Sequence, residues 1–160
     1  MAAAPLPPPI TALLAEEVRT VEEFVTILKE EEAALVAANL DALLALVERK
    51  GKFSAHLNML VERREAALKS GGMPSGRDGM AKWLSLADKS GQAEKLWARL
   101  LELATQARDQ NILNGKLISL HFQHNQRALA TLMAAADRAM TYDANGMQHG
   151  GSTGRLLGSA

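Results

Sequence analysis

Three asparagines in the C-terminal half of the sequence carry its most specific hydrogen-bonding chemistry. Asn111, Asn114 and Asn125 lie in a long helical pattern. At heptad spacing, one stripe of that helix contains Asn111, Asn114, Ile118, His121, Asn125 and Leu132. A buried amide without a partner costs about 1 to 3 kcal/mol, so amides in a packed stripe select partners that return their hydrogen bonds. The pattern leaves two interpretations open: the stripe binds another protein, or its asparagines fix the register of the helix within its own bundle.

Two histidines of the same helix have a spacing that could hold a metal ion. His121 and His124 lie three residues apart, which can bring two imidazoles to one ion. No Glu-x-x-His or His-Glu-x-x-His motif accompanies them, and the sequence has no glycine-rich loop of the phosphate-binding type. We therefore expect one histidine in the packed stripe, one in solvent, and no metal site.

Acidic clusters and tryptophans are the remaining candidates for catalysis or ligand binding. Glu16 and Glu17, like the acidic run 30–32, are expected on an exposed helix face, where solvation by water gives a carboxylate no special reactivity. Trp83 and Trp97 stand beside leucines at helical spacing, which is typical of core packing rather than of a ligand platform. The sequence therefore predicts no catalytic residue, no cofactor and no enzymatic activity.

The composition restricts the partners and the compartment. The 160 residues are 48% hydrophobic but only 4% aromatic, and alanine and leucine supply much of the apolar share, which favours slender helices. Eighteen basic and eighteen acidic residues cancel, so no net field attracts nucleic acid or an anionic membrane. Cysteine is absent, which excludes disulfides and thiolate metal sites and fits a cytoplasmic location.

The N-terminus indicates neither secretion nor membrane insertion. Four of the first nine residues are prolines, and the segment has no basic region and no unbroken apolar stretch. No segment of the sequence reaches the roughly 20 apolar residues that a membrane span needs.

The hydrophobic periodicity predicts an all-α fold, an elongated antiparallel bundle of three long helices and one short helix. The predicted helices cover residues 10–38, a second run that ends at Ser70, about 78–89, and about 92–140. By domain, we divide the chain into a flexible proline-rich arm at 1–9, a helical domain at 10–140 and a disordered tail at 141–160.

Polar and glycine residues mark the ends and one weak point of these helices. Asn39 and Asp41 are both good N-cap candidates for the second helix, and a glycine of the Gly71-Gly72 pair is expected to take a left-handed conformation at its end. Gly115 interrupts the last helix at a cost of about 1 kcal/mol relative to alanine. A close approach by another group at this position is a reason to retain it.

A family resemblance is carried by residues of the last helix and of the second. The motifs are Asn111-x-x-Asn114-Gly115-x-Leu117-Ile118, Asn125-Gln126-x-Ala128-Leu129-x-x-Leu132 and Tyr142-Asp143-Ala144-Asn145-Gly146, with Glu48-Arg49-Lys50 and Arg63-Arg64 in the second helix. On these residues, the chain resembles the FlgN family of flagellar type III export chaperones over about residues 14–147. The family motif usually has glycine directly after the tyrosine, where this chain has Asp143.

The resemblance implies a cytosolic, non-enzymatic chaperone for the two hook-associated proteins of the hook-filament junction. Members of the family hold the helical C-terminal ends of these substrates, and a tyrosine just past the last helix is associated with docking on the cytoplasmic domain of the export gate. The implied substrate-binding residues are Asn111, Asn114, Gly115, Leu117, Ile118, Asn125, Leu129 and Leu132, and the implied gate contact is Tyr142.

Two other classes of function stay open. A structural coiled-coil scaffold or adaptor would use the asparagines to specify its oligomeric state, and a helical-bundle enzyme would need metal or cofactor ligands that face inward. The sequence also leaves open whether the protein is a monomer or a homodimer.

Overall fold

The structure is a computed structural model that describes residues 9–146, with side chains described as far as Tyr142. Its helices are α1 Ile10–Val36, α2 Leu40–Ser70, α3 Gly76–Ala87 and α4 Gln92–Gly146. No strand occurs among the described residues, which confirms the predicted all-α class with three long helices and one short one. The predicted arm, apart from Pro9, and the tail beyond Gly146 lie outside the described residues.

Short-range hydrogen bonds explain where α2 begins and ends. The Asn39 side chain accepts a hydrogen bond of 3.1 Å from the backbone N–H of Ala42, so Asn39, not Asp41, is the N-cap. Ala38 turns the chain between α1 and α2 with a φ of 51°. At the end of α2 the left-handed glycine of the Gly71-Gly72 pair is Gly72, with a φ of 73°.

The end of α4 differs from the prediction. We expected the helix to stop at Met140, but it continues to Gly146, so Tyr142 lies within the helix and not just past it. The residues from Thr141 to Asn145 include no glycine or proline, and Asp143 replaces the glycine that would favour a break. The Thr141 hydroxyl also donates to the backbone oxygen of Asp137 at 2.8 Å, which is compatible with helical backbone.

The described residues divide within α4 into two compact units, the first ending at Ile118 and the second beginning at Ser119. In the first unit, α1 and α2 are antiparallel, since Glu30 contacts Arg49 and Glu17 contacts Arg64. The first part of α4 runs parallel to α1, since Glu22 contacts Arg99 and Glu31 contacts Asn114. The second unit, as far as it is described, is the C-terminal part of α4.

The core of the first unit is a seam of aliphatic residues from all four helices. Its buried members are Ile10, Leu14, Val18, Val21, Val25, Leu68, Met80, Ala93, Leu100 and Leu103. A smaller cluster near the α1–α2 turn contains Ile27, Ala34 and Leu46. Trp83 and Trp97 pack against the larger cluster, as expected for core anchors.

None of the described helices combines sufficient length with sufficient apolar character to cross a bilayer.

Candidate functional site

Asn114 is buried in the first unit, with 1% of its surface exposed. Its Nδ2 donates to the backbone oxygen of Leu28 at 2.8 Å and to Glu31 Oε2 at 2.7 Å. Its Oδ1 accepts from Gln110 Nε2 at 3.1 Å. The amide is therefore bonded on both sides within its own chain, which fits the register interpretation at this position rather than an exposed contact.

Asn114 belongs to a polar cluster that joins three helices, which we call the central network. Its members are Glu31 of α1, Lys50 of α2, and Gln110, Asn111 and Asn114 of α4. Lys50 Nζ lies 2.9 and 3.0 Å from the two carboxylate oxygens of Glu31 and 3.3 Å from Asn111 Oδ1. Because these side chains satisfy one another, they specify which turns of the three helices meet.

A second buried ion pair lies at the other end of α1. Arg64 Nε donates to Glu17 Oε1 at 2.7 Å and its Nη1 to Glu65 Oε1 at 3.0 Å. The guanidinium also lies over the Trp97 ring, with Cζ 5.1 Å from the ring centroid. Burial raises the pKa of the Glu17 carboxyl, while the hydrogen bond and charge of Arg64 act in the opposite direction.

The expected exposed positions of Glu17 and Glu31 are therefore wrong. Both side chains are buried, whereas Glu16 and Glu32 are half-buried and Glu30 is exposed. Glu17 and Glu31 lie fourteen residues apart, as do their partners Lys50 and Arg64. A separation of two heptads keeps residues near one helix face, and this matched spacing of opposite charges is the signal that the sequence contained.

The other predicted site residues of the first unit are more accessible than Asn114. Asn111 and Ile118 are exposed, and Leu117 is half-buried. A Cβ added to Gly115 would meet no atom within 4 Å, so nothing in the described part of the chain makes the close approach that we expected there. These residues can be reached by another molecule.

The second unit presents an apolar face along its whole described length. Every side chain from Phe122 to Tyr142 is exposed. We call one helix face of this segment the C-terminal stripe, and it contains Phe122, Asn125, Leu129, Leu132, Met133, Ala136 and Met140, which follow one another at helical spacing. Its five large apolar side chains are between 58% and 71% exposed. Asn125 is the one hydrogen-bonding side chain among them, and none is charged.

Two other exposed apolar residues lie on different sides of the same segment. At about 100° per residue, Leu120 falls opposite the centre of the C-terminal stripe, and Tyr142 lies well away from it. Leu120 is 60% exposed and Tyr142 is 81% exposed. The tyrosine and the stripe are therefore available to different partners.

The histidines of α4 are not part of a ligand cluster. His121 is half-buried and His124 is exposed. Among the described residues, no group of three or more histidine, cysteine, aspartate or glutamate side chains is placed to hold a metal ion.

Comparisons with known proteins agree on one family. The sequence profile of the family described as FlgN protein matches residues 8–150. The flagella synthesis protein FlgN of Yersinia enterocolitica is 26% identical over 148 residues, which cover 91% of this chain and 93% of that protein. A crystal structure described as a flagella synthesis protein FlgN of Pseudomonas aeruginosa has a TM-score of 0.62 at 24% identity, covering 72% of this chain and 90% of that chain. At that identity, the structural similarity supports the fold alone.

Proposed function

Because the chain belongs to the FlgN family, whose Yersinia enterocolitica relative is named for flagella synthesis, we propose that it is a cytoplasmic export chaperone for flagellar hook-associated proteins. It binds the helical C-terminal ends of these clients and prevents their early self-association. It then delivers them to the flagellar type III export gate. No step of this activity requires catalysis or a cofactor.

The observation that carries this proposal is the exposed C-terminal stripe. A helix with an apolar face and no charge on that face is suited to receive the apolar face of a second, amphipathic helix. Fully burying a leucine, methionine or phenylalanine side chain stabilises a complex by about 1.5 to 3 kcal/mol. Five such side chains in one line, each more than half exposed, are more typical of a binding surface than of a scattered apolar surface.

We choose the proposed client contacts from the predicted site residues by the exposure of their side chains. Asn125, Leu129 and Leu132 lie on the C-terminal stripe, and we assign them the central role. In the first unit the proposed further contacts are Asn111, Gly115, Leu117 and Ile118. Asn114 was expected among them, but its hydrogen bonds to α1 support a role in helix register instead.

Tyr142 is the proposed contact with the export gate. It is highly exposed and lies away from the C-terminal stripe on the helix. A client bound along the stripe would therefore leave the tyrosine accessible. This arrangement allows one chaperone to hold a client and contact the gate at the same time.

The test compares two leucines with matched exposure on opposite sides of one helix. Leu129→Asp places a charge in the C-terminal stripe, and Leu120→Asp places the same charge outside it. We expect Leu129→Asp to weaken binding of a C-terminal peptide from a hook-associated protein at least about tenfold, because the new charge loses its water on binding. Leu120→Asp should bind with the affinity of the wild type. Isothermal titration calorimetry measures both.

Two outcomes would overturn the proposal. The first is that the wild-type protein fails to bind the client peptides. The second is that both substitutions have the same effect, which would remove the stripe from the binding site. A concentration-dependent mass in ultracentrifugation, combined with no affinity for any client peptide, would favour the coiled-coil scaffold.

A further inference from the structure

We propose that α2 supplies a second wall of the client site, and that the client helix packs across α2 and α4 as a fourth helix of the first unit. The inference rests on the proposed function and deepens it, because all the client contacts proposed so far lie on α4. We call the surface concerned the α2–α4 face. It contains Leu40, Leu43 and Val47 of α2 and Asn111, Gly115 and Ile118 of α4.

The contacts of two neighbouring residues show which side of α2 is turned towards α4. Arg49 pairs with Glu30 of α1. Lys50, about 100° further around the helix, contacts Glu31 of α1 and also Asn111 of α4. Helix α1 therefore lies on the Arg49 side of α2, and α4 lies on the Lys50 side.

Apolar residues of α2 continue around the helix from Lys50 in the direction of α4. Leu40, Leu43 and Val47 have spacings of three and four, and they fall about 20° to 80° beyond Lys50. Leu40 and Val47 are exposed, and Leu43 is half-buried. Because α1 is antiparallel to α2 and parallel to α4, α2 and α4 are antiparallel. These three residues therefore lie level with the turns of α4 that follow Asn111.

The facing side of α4 is accessible as well. Asn111, Gly115 and Ile118 have spacings of four and three, and all three are exposed. A Cβ at Gly115 would meet no atom within 4 Å, so the backbone of another helix can approach this position closely. These residues already belong to the proposed client contacts, and the α2–α4 face extends that surface onto α2.

The chemistry of the α2–α4 face selects an apolar helix as its occupant, because none of its six residues is charged. Asp41 and Glu48 of α2 and Lys116 of α4 fall more than about 100° around their helices from the middle of the face. Leu40 and Val47 are seven residues apart, or about 10 Å along the axis. Two turns of an amphipathic client helix can therefore cover the face without burying an unpaired charge.

The first unit has a fourth helix at one end only. Near the start of α1, helix α3 joins the core through Met80, which clusters with Ile10. At the other end, no described helix covers the α2–α4 face, since Leu40 and Val47 remain more than half exposed. A client helix would occupy there the role that α3 has at the first end.

The α2–α4 face also supplies area that the C-terminal stripe lacks. A large apolar side chain that is more than half exposed offers on the order of 100 Å², so the five of the stripe offer on the order of 500 Å². A standard stable interface buries about 800 Å² per partner. Leu40, Val47 and Ile118 are each more than half exposed and bring the area available to a client close to that value.

Two valines of similar exposure test the role of α2. Val47 is 62% exposed on the α2–α4 face, and Val36 is 70% exposed at the end of α1, on the other side of α2 and α4. We expect full-length Val47→Asp to bind a C-terminal peptide from a hook-associated protein at least about tenfold more weakly than the wild type, because the carboxylate loses its water on binding. Val36→Asp should bind with wild-type affinity. Isothermal titration calorimetry measures both affinities.

A second variant separates loss of binding from loss of folding. Leu40→Asp places its charge in the first turn of α2, where the helix dipole favours a negative side chain. It should weaken client binding as Val47→Asp does. Circular dichroism of all three variants should give the helicity of the wild type.

Three results would overturn the inference, and they have different meanings for the proposed function. Wild-type affinity in Val47→Asp and Leu40→Asp, with weaker binding by Leu129→Asp, would confine the client to α4 and retain the proposed function. Equal weakening by Val36→Asp and Val47→Asp would show that the position of the charge is irrelevant. Failure of the wild-type protein to bind client peptide would overturn the proposed function together with the inference.

Discussion

The Asn114 amide makes three hydrogen bonds inside the first unit, so its replacement removes all of them at once. We expect Asn114→Leu to lower the free energy of unfolding by about 1 to 3 kcal/mol, because it leaves buried polar groups of α1 with fewer partners. Asn125→Leu is the control and should change it by less than about 0.5 kcal/mol, since Asn125 is exposed. Urea unfolding measures the free energy of unfolding of both variants. Equal stability of the two variants would show that the Asn114 hydrogen bonds contribute nothing net.

Glu17 gives the stability of the protein a defined dependence on pH. Burial raises the pKa of this carboxyl above its ordinary value of 4.5, despite the opposing effect of Arg64. The folded protein thus binds the proton more tightly than the unfolded chain does. The resulting contribution to stability is fully present below the ordinary pKa and is lost as the pH rises through the raised value.

The variant Glu17→Gln isolates this contribution, because glutamine does not titrate. We expect the free energy of unfolding of the wild type, relative to Glu17→Gln, to fall as the pH rises from about 4.5 towards 7. Urea unfolding at several pH values gives the difference at each point. A difference that grows with pH would mean that attraction to Arg64 outweighs the desolvation of the carboxylate.

At the scale of the helices, two interior glycines face open space. A Cβ at Gly51 of α2 or at Gly115 of α4 would meet no atom within 4 Å. Gly51→Ala and Gly115→Ala should therefore each stabilise the protein by about 0.5 to 1 kcal/mol, because alanine has the higher helix propensity. Thermal unfolding measures this gain.

The variants Gly51→Ala and Gly115→Ala also test whether a client approaches Gly115 closely. If it does, Gly115→Ala should weaken binding of the client peptide, whereas Gly51→Ala, which lies outside the proposed contacts, should leave it unchanged. Unchanged affinity in both variants would remove Gly115 from the client site. Client binding would then not explain the presence of Gly115 in α4.

The sequence was sufficient to predict the helices, but not which of their faces are covered by other helices. Hydrophobic periodicity predicted all four helices, and the capping preference of asparagine and aspartate gave Asn39 as one of two N-cap candidates for α2. It could not separate Asn114 from Asn125, because periodicity identifies a face of a helix and not whether another helix covers that face. The end of α4 was misplaced since the residues after Met140 tolerate a helix as well as a turn.

At the scale of the whole molecule, the two units differ in whether their large apolar side chains are buried or exposed. The first unit buries its apolar seam and also two charged networks, around Glu17 and around Glu31. The second unit leaves its largest apolar side chains exposed. Burial in the first unit stabilises the fold, and the exposed apolar face of the second is the surface that we propose for client binding.

This distribution predicts a sharp difference in backbone protection along α4. Helix without tertiary packing is only marginally stable in water, so amides beyond Phe122 should exchange with solvent much faster than those of residues 96–117. Hydrogen exchange followed by mass spectrometry, on dilute full-length protein, measures both segments. Adding client peptide should slow exchange beyond Phe122 and leave α3, at Gly76–Ala87, unchanged as the internal control. Strong protection beyond Phe122 in dilute, client-free protein would contradict the prediction, because it would require this segment to be covered already within a single chain.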